Sequence, residues 1–389
     1  MGAFPGRSGI LTGLIIVPQI IVAQQVTRTP VDAVVPLLPA AVTALGRTHW
    51  VYELHLTNQG ATPLVLNEVG IENSSGAVLD RWADAALSAR FLVTGPPGTR
   101  AASATIPAGR RGVVFVWLSP KEAASTGTPL VHRLVFSSEA GTARDTLVLP
   151  GVPLPDEKAE RIASPVRGGP WVTLRGPSNT SGHRTGLVTV GGATRVPQRF
   201  AIDYAKLGPD GRMFGADSTR NESWYGYADS ILSATDGEAV LVRDGIGDNV
   251  PLSGRMATAI DAITAPGNLV SIRTGNGHYA SYSHIKAGSI QVKPGDRVTR
   301  GQFLGLIGNS GNSGGPHLHF QISAAAEVLF GEGLPFVLEE FRLLGRIPSM
   351  GSAVAGQPWT PNAAQPARDV RGEIPLENMV ISIPAAPRR

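Results

Sequence analysis

The residues best suited to chemistry gather at 309 to 322, N-S-G-N-S-G-G-P-H-L-H-F-Q-I. Side chains of an extended strand alternate faces, so His317 and His319 share one face while Leu318 and Phe320 take the other. Two imidazoles side by side suit a metal ion, or a metal ion with a catalytic base beside it. An amphipathic strand with two surface histidines has the same pattern, so the pair alone does not choose between the two readings.

Three more segments bear on that choice. Q-R-F-A-I-D-Y (198 to 204) reads as a strand whose alternation puts Arg199, Ala201 and Asp203 on one face. Y-A-S-Y-S-H-I (279 to 285) ends close to His284, and V-K-P-G-D-R-V-T-R-G-Q-F-L-G-L-I-G (292 to 308) carries the turns of a compact sheet. The chain has no cysteine, so any transition metal must be held by histidine and carboxylate, and no disulfide framework exists.

These residues must be positioned by short strands and turns. The 389 residues suffice for two domains and tails, and 47 glycines with 31 prolines disfavour long helices. Residues 1–25 hold one early arginine, then a mostly apolar run ending at Ala23, as in a secretory signal peptide; a retained anchor is the alternative. After signal removal no segment is apolar enough to span a membrane, which predicts a secreted, periplasmic or cell-envelope protein. The net charge of +4 is scattered and forms no nucleic-acid stripe.

Residues 26–149 read as a β-sandwich of immunoglobulin-like character, with strands at Trp50 to Asn58, Gly112 to Leu118 and Leu130 to Phe136. Its histidines (His49, His55, His132) have no acidic partner at ligand spacing and read as half-buried or surface residues. Residues 150–168 read as a linker, 169–346 as a second β-rich domain, and 347–389 as a Pro/Ala-rich arm whose end regains strand alternation. The stretch L-P-F-V-L-E-E-F-R-L-L-G fits a strand or a short helix.

G-N-S-G-N-S-G-G-P-H-L-H-F, together with V-K-P-G-D-x-V-x-x-G-Q and Y-x-H, resembles the lysostaphin-like zinc metallo-endopeptidases that cut peptidoglycan, over roughly residues 170 to 325. The resemblance implies an all-β fold with an antiparallel-sheet peptidase domain, zinc (Zn2+) as cofactor and peptidoglycan peptides as substrate; it names no protein partner. It implies His319 as a ligand and His317 and His284 as catalytic. The family's other two ligands come from H-x-x-x-D; Asp203 fits the aspartate, but four residues before it stands Arg199, which only donates hydrogen bonds and cannot hold a metal.

The candidate replacement is His183 in N-T-S-G-H-R-T-G-L-V-T-V. If residues 184 to 190 are a strand returning through a strict two-residue turn at Gly191-Gly192, His183 falls opposite Phe200, on the wrong face. A loop one residue longer or shorter, or a bulge, brings it beside the face of Asp203. The alternative is an ordinary loop histidine. Two imidazoles and a carboxylate, with the fourth position open, form a catalytic zinc pattern. The ion would polarise the scissile carbonyl and lower the pKa of its bound water toward about 7. His317 and His284 would then act as base and oxyanion donor, in an order the sequence leaves open.

A competing reading is a non-catalytic wall-binding or hydrolase-activating module that lost its metal with the ligand at position 199. A biotinyl or lipoyl carrier is disfavoured, since G-N-S-G-N-S-G-G lacks the lysine that such a carrier needs. His278 reads as a solvated turn residue and Asp217 and Glu222 as surface residues, while Trp224, Tyr225 and Tyr227 suit a groove or packing.

Overall fold

A computed structural model gives the arrangement of residues 29–95, 103–120, 128–139, 141 and 143–384; the expected leader lies outside the described residues. The fold is all-β, with antiparallel pairing almost throughout.

Two five-stranded sheets form the N-terminal unit. One is built on Arg47–Asn58 paired with Arg111–Leu118, the other on Leu64–Glu72 paired with Leu130–Ser138. Their facing rows, among them Tyr52, Leu54, Val116, Val69, Leu134 and Phe136, share one core, as period-2 alternation requires of two packed sheets. The histidines of this unit depart from expectation. His49, His55 and His132 are all buried: both faces of the strand carrying His49 and His55 are covered, and His132 lies in the inward row with Leu130 and Leu134.

His132 has a consequence for stability. The Tyr52 hydroxyl donates to its Nε2 at 2.7 Å, and burial pushes its pKa down to about 4 from 6.5. Below pH 6.5 the unfolded chain takes up a proton that the folded chain refuses until about pH 4, so stability falls on acidification. Between pH 7 and pH 5 this one group is expected to remove about 2 kcal/mol. Denaturant midpoints at the two pH values check it, and a His132→Gln variant should show a smaller difference.

The second unit is built on a twelve-stranded sheet. Its centre runs Gly168–Leu174, Ile202–Lys206, Leu318–Ser323, Tyr279–Ile285, Asn268–Arg273. The segment read as a linker supplies strand Glu160–Ile162, parallel to Phe336–Arg346. The segment read as an arm supplies Arg368–Glu373 and Met379–Ile383, and the latter pairs with Gly168–Leu174. The ambiguous L-P-F-V-L-E-E-F stretch is strand, Phe336–Arg346. Tyr282, Phe320 and Phe336 pack beneath the sheet in tilted and edge-to-face contacts with ring centroids 5.2 and 5.3 Å apart, on the face opposite the histidines. No helix among the described residues is long and apolar enough to cross a membrane.

Candidate metal centre

Strand register assembles the centre. Asp203 pairs with His319, and His319 pairs on its other side with Ser283, so three neighbouring strands put these side chains in a row on one face. His319 Nδ1 lies 2.9 Å from Asp203 Oδ1, and His317 Nε2 lies 3.5 Å from the same oxygen. His317 and His319 thus face one way, as alternation predicts.

The strand of Asp203 is shorter than expected. It begins at Ile202, and residues 197 to 200 form a turn. Arg199 therefore escapes the alternation and points away from Asp203. Its guanidinium spans Glu53, with Nε 3.1 Å from Oε1 and Nη2 2.7 Å from Oε2, and also bonds Glu332 at 2.9 Å.

His183 does reach Asp203, by a route other than the one expected. The Gly191-Gly192 turn is strict, pairing Val188 with Arg195 and Val190 with Ala193, and both glycines have positive φ. The hairpin stops there, since Pro197 has no N–H to extend the ladder. His183 belongs instead to a one-turn helix, Gly182–Thr185. From it Nε2 stands 3.5 Å from Asp203 Oδ2, and the ring lies edge-on to His319 with centroids 4.8 Å apart.

His284 is aimed by a bulge. Asn268 pairs with Ile285 but Val270 pairs with Tyr282, and His284 has φ +61°. Regular alternation would set it on the face opposite Ser283; the bulge swings its ring to 4.8 Å from that of His317. Its Nδ1–H donates to the Ser310 carbonyl at 2.7 Å, and the Nδ1–H of His317 donates to the Gly315 carbonyl at 2.8 Å. In both rings the hydrogen is assigned from these carbonyl acceptors, which leaves Nε2 as the working nitrogen.

The loop 309 to 316 holds these carbonyls in place. Asn249 donates to the carbonyls of Gly311 and Ser313 at 2.8 and 2.9 Å. Gly311 has φ +72°, and a Cβ there would meet Gly267 N at 2.3 Å, so glycine is required.

Donor chemistry is the test of whether a metal fits. Among the described residues, His183, Asp203 and His319 offer one ligand atom each, all within 4.8 Å of one another. Gln321 donates to the Val328 carbonyl at 3.0 Å, which orients its amide so that Oε1 accepts from His319 Nε2–H at 3.0 Å. Nδ1 of His319 then presents a lone pair to the Asp203 carboxylate 2.9 Å away, an arrangement that calls for a cation, proton or metal. Burial pushes the His183 imidazole down to about 4, keeping it neutral as a ligand must be. Burial works against ionisation of Asp203, but the histidines ranged around it, His183 and His317 foremost, favour the ionised form and hold it well below the usual carboxylate range. An ionised carboxylate and two available imidazole nitrogens suit zinc.

His284 is driven well below its ordinary value by burial, with His317 and His319 adding to the effect. Burial also opposes charge on His317, but the Asp203 carboxylate and the Gly315 carbonyl outweigh it and raise the pKa. All five side chains line a cleft of about 420 Å³ whose walls include Met213, Trp224, Leu252 and Met350, with Arg175 also lining it.

Of the other residues considered in the sequence, Trp224 is buried against Phe214 and lines this cleft, while Asp217 and Glu222 are exposed. Tyr227 donates its hydroxyl to Asp248 at 2.8 Å. His278 is half-buried and pairs with Glu160 at 3.0 Å, a contact that a solvated turn tip would lack. Sequence reasoning missed Gln321, although its place two residues after His319 puts it on the same strand face. It also missed Glu53 and Asn249, for which no local pattern speaks.

Residues 228–329 match Peptidase family M23. The peptidoglycan DD-endopeptidase ShyA of Vibrio cholerae is 46% identical over 56 residues, 14% of this chain and 13% of that protein. ShyC of the same organism, also a peptidoglycan DD-endopeptidase, is 42% identical over 55 residues, 14% of this chain and 12% of that protein. The chain thus matches about an eighth of the length of these relatives. Among solved structures, the catalytic domain of lysostaphin from Staphylococcus simulans is similar at 20% identity, with 38% of this chain and 80% of that one covered and a TM-score of 0.22. The matched range includes His284, His317 and His319 but neither His183 nor Asp203, whose placement rests on the geometry above. The chain carries a Peptidase family M23 domain at residues 228–329.

Proposed function

We propose that the protein is a secreted, zinc-dependent endopeptidase that hydrolyses peptide cross-links of bacterial peptidoglycan, with His183, Asp203 and His319 as zinc ligands and His284 and His317 as catalytic residues. The observation that carries this reading is the convergence of three donors from three separate segments beside a cleft, where two further imidazoles face in. A structural ion would be fully enclosed by protein ligands, whereas three ligands beside a cleft leave a position for water or substrate.

Zinc held there would polarise the scissile carbonyl and supply a nucleophile near neutral pH. The chain's own residues do the rest. Gln321 holds the ring of His319, and the Ser310 and Gly315 carbonyls hold His284 and His317 with Nε2 toward the cleft. One of these two, neutral with a lone pair on Nε2, would take the proton of the attacking water, and the other, as imidazolium, would donate from Nε2 to the oxygen on which charge develops. The cleft walls exclude bulk water and seat the peptide. The relatives named as peptidoglycan DD-endopeptidases support the substrate class.

The domain plan belongs to the same proposal: a cleaved leader over 1–25, an immunoglobulin-like β-sandwich to about residue 149, and a peptidase unit that recruits the segments on either side of 169–346 as strands. Digestion of purified cell-wall sacculi, with mass analysis of the fragments, tests the function. New amino termini from cut cross-links are expected, absent with a chelator and restored by zinc. No fragments from a zinc-loaded protein would favour the non-catalytic module instead.

A further inference from the structure

Strand Arg47–Asn58 of the N-terminal unit is buried on both faces. Tyr52 and Leu54 point into that unit's own core, whereas Val51 joins the core of the second unit. Glu53 lies on the same side as Val51 and is only 2% exposed. An unpaired carboxylate at such a place would be prohibitive, and two arginines of the second unit neutralise it.

Both arginines flank the metal centre in sequence. Arg199 grips Glu53 with two nitrogens, four residues before Asp203. Arg184, the neighbour of His183, is fully buried, bonds Glu53 through Nη1, and donates through Nη2 to the Tyr52 carbonyl at 2.9 Å. Its guanidinium also lies 5.0 Å from the centre of the Phe115 ring. Glu332 completes the group through Arg199, so two carboxylates and two guanidiniums balance.

The helix that carries His183 cannot hold itself. It has four residues, and its N-cap Ser181 makes no side-chain cap bond. A single helical turn is unstable in isolation, since nucleation fixes several dihedrals for one hydrogen bond. The Ser181 hydroxyl anchors its start to the Arg175 carbonyl at 2.7 Å, and Arg184 ties its body to the N-terminal unit, ending on Glu53.

We infer that Glu53 is a positioning residue for the metal centre: by holding Arg184 and Arg199 it sets His183 against Asp203, so the N-terminal unit is a working part of the site. This rests on the zinc site proposed above. It also gives Arg199 a role in the place where the family's histidine is expected.

The test is zinc affinity of the full chain, measured by competition with a chromophoric chelator, alongside thermal stability. Glu53→Gln is expected to weaken zinc binding by about 10- to 100-fold, the range for outer partners of metal ligands, with Glu53→Asp falling between it and wild type. Glu373→Gln is the control. Glu373 also ties the two units, accepting from Gly46 N at 3.0 Å, but touches no part of the His183 helix. Its loss should leave zinc affinity unchanged whatever it does to stability. Should Glu53→Gln fail to fold, Glu53→Asp and Arg184→Lys, which keep the charge, are read the same way. Zinc affinity within twofold of wild type in the folded variants, or an equal loss in Glu373→Gln, overturns the inference while leaving the proposed function standing. A wild-type protein without zinc affinity overturns both.

Discussion

A His183→Ala variant is expected to lose its zinc and, with it, its turnover. His183 is one of three donors, its Nε2 3.5 Å from Asp203 Oδ2, and it comes from a helix outside the sheet. Removing a ligand should cost more affinity than the roughly 10- to 100-fold that follows loss of an outer partner. Metal content of the purified protein should fall from about one ion per chain to near none. Cross-link cleavage should fall on the order of a thousandfold, because the metal contributes several kcal/mol to the barrier and each 1.4 is tenfold. Adding Arg199→His to this variant should not restore the ion, since position 199 faces Glu53 and not the donors. Stoichiometric zinc in His183→Ala would remove this residue from the site.

His317→Ala should separate binding from chemistry. His317 is not one of the three donors, and its Nδ1 is committed to the Gly315 carbonyl. Zinc content should stay near one per chain while kcat falls by about 10²- to 10⁴-fold, the usual worth of a positioned acid or base. KM should change far less, since the apolar walls Met213, Trp224, Leu252 and Met350 are untouched. Fragment release from sacculi and metal analysis on the same preparation give both readouts. Full activity, or loss of the ion, would reverse the assignment of His317.

How far the site was legible varies residue by residue. The shared face of His317 and His319 is legible, because strand alternation is local and needs only two neighbouring positions, whereas the face expected for Asp203 together with Arg199 does not form, since the strand begins at Ile202. His284 was legible from its motif, but not its direction. The regular alternation of Y-A-S-Y-S-H-I would have turned it away, and the bulge with φ +61° depends on how Tyr279–Ile285 pairs with Asn268–Arg273. His183 carries no local signal beyond the gap that Arg199 leaves, and where a strand is expected from 184 onward the chain forms the helical turn Gly182–Thr185. In R-T-G-L-V-T-V the β-branched residues suggested a longer strand, but Thr185 N bonds the Ser181 carbonyl and the ladder begins only at Val188.

The N-terminal unit shows the same boundary. Its strands are plain from W-V-Y-E-L-H-L and the related runs, and His55, which shares a strand face with Glu53, reads as a half-buried or surface residue. Both are buried, because the second unit covers that side.

Periodicity within a few residues is enough for the all-β class, the long strands of the N-terminal unit and the shared face of His317 and His319. The absence of cysteine determined which ligand types were possible. Only the tertiary structure decided which histidine joins Asp203, where Arg199 goes, and that a carboxylate from another unit sits behind them. His183 and Asp203 are 20 residues apart, and Glu53 and Arg184 are 131 apart. No local pattern encodes distances of that kind; they are set by how two sheets pack and by the need to neutralise every charge they bury.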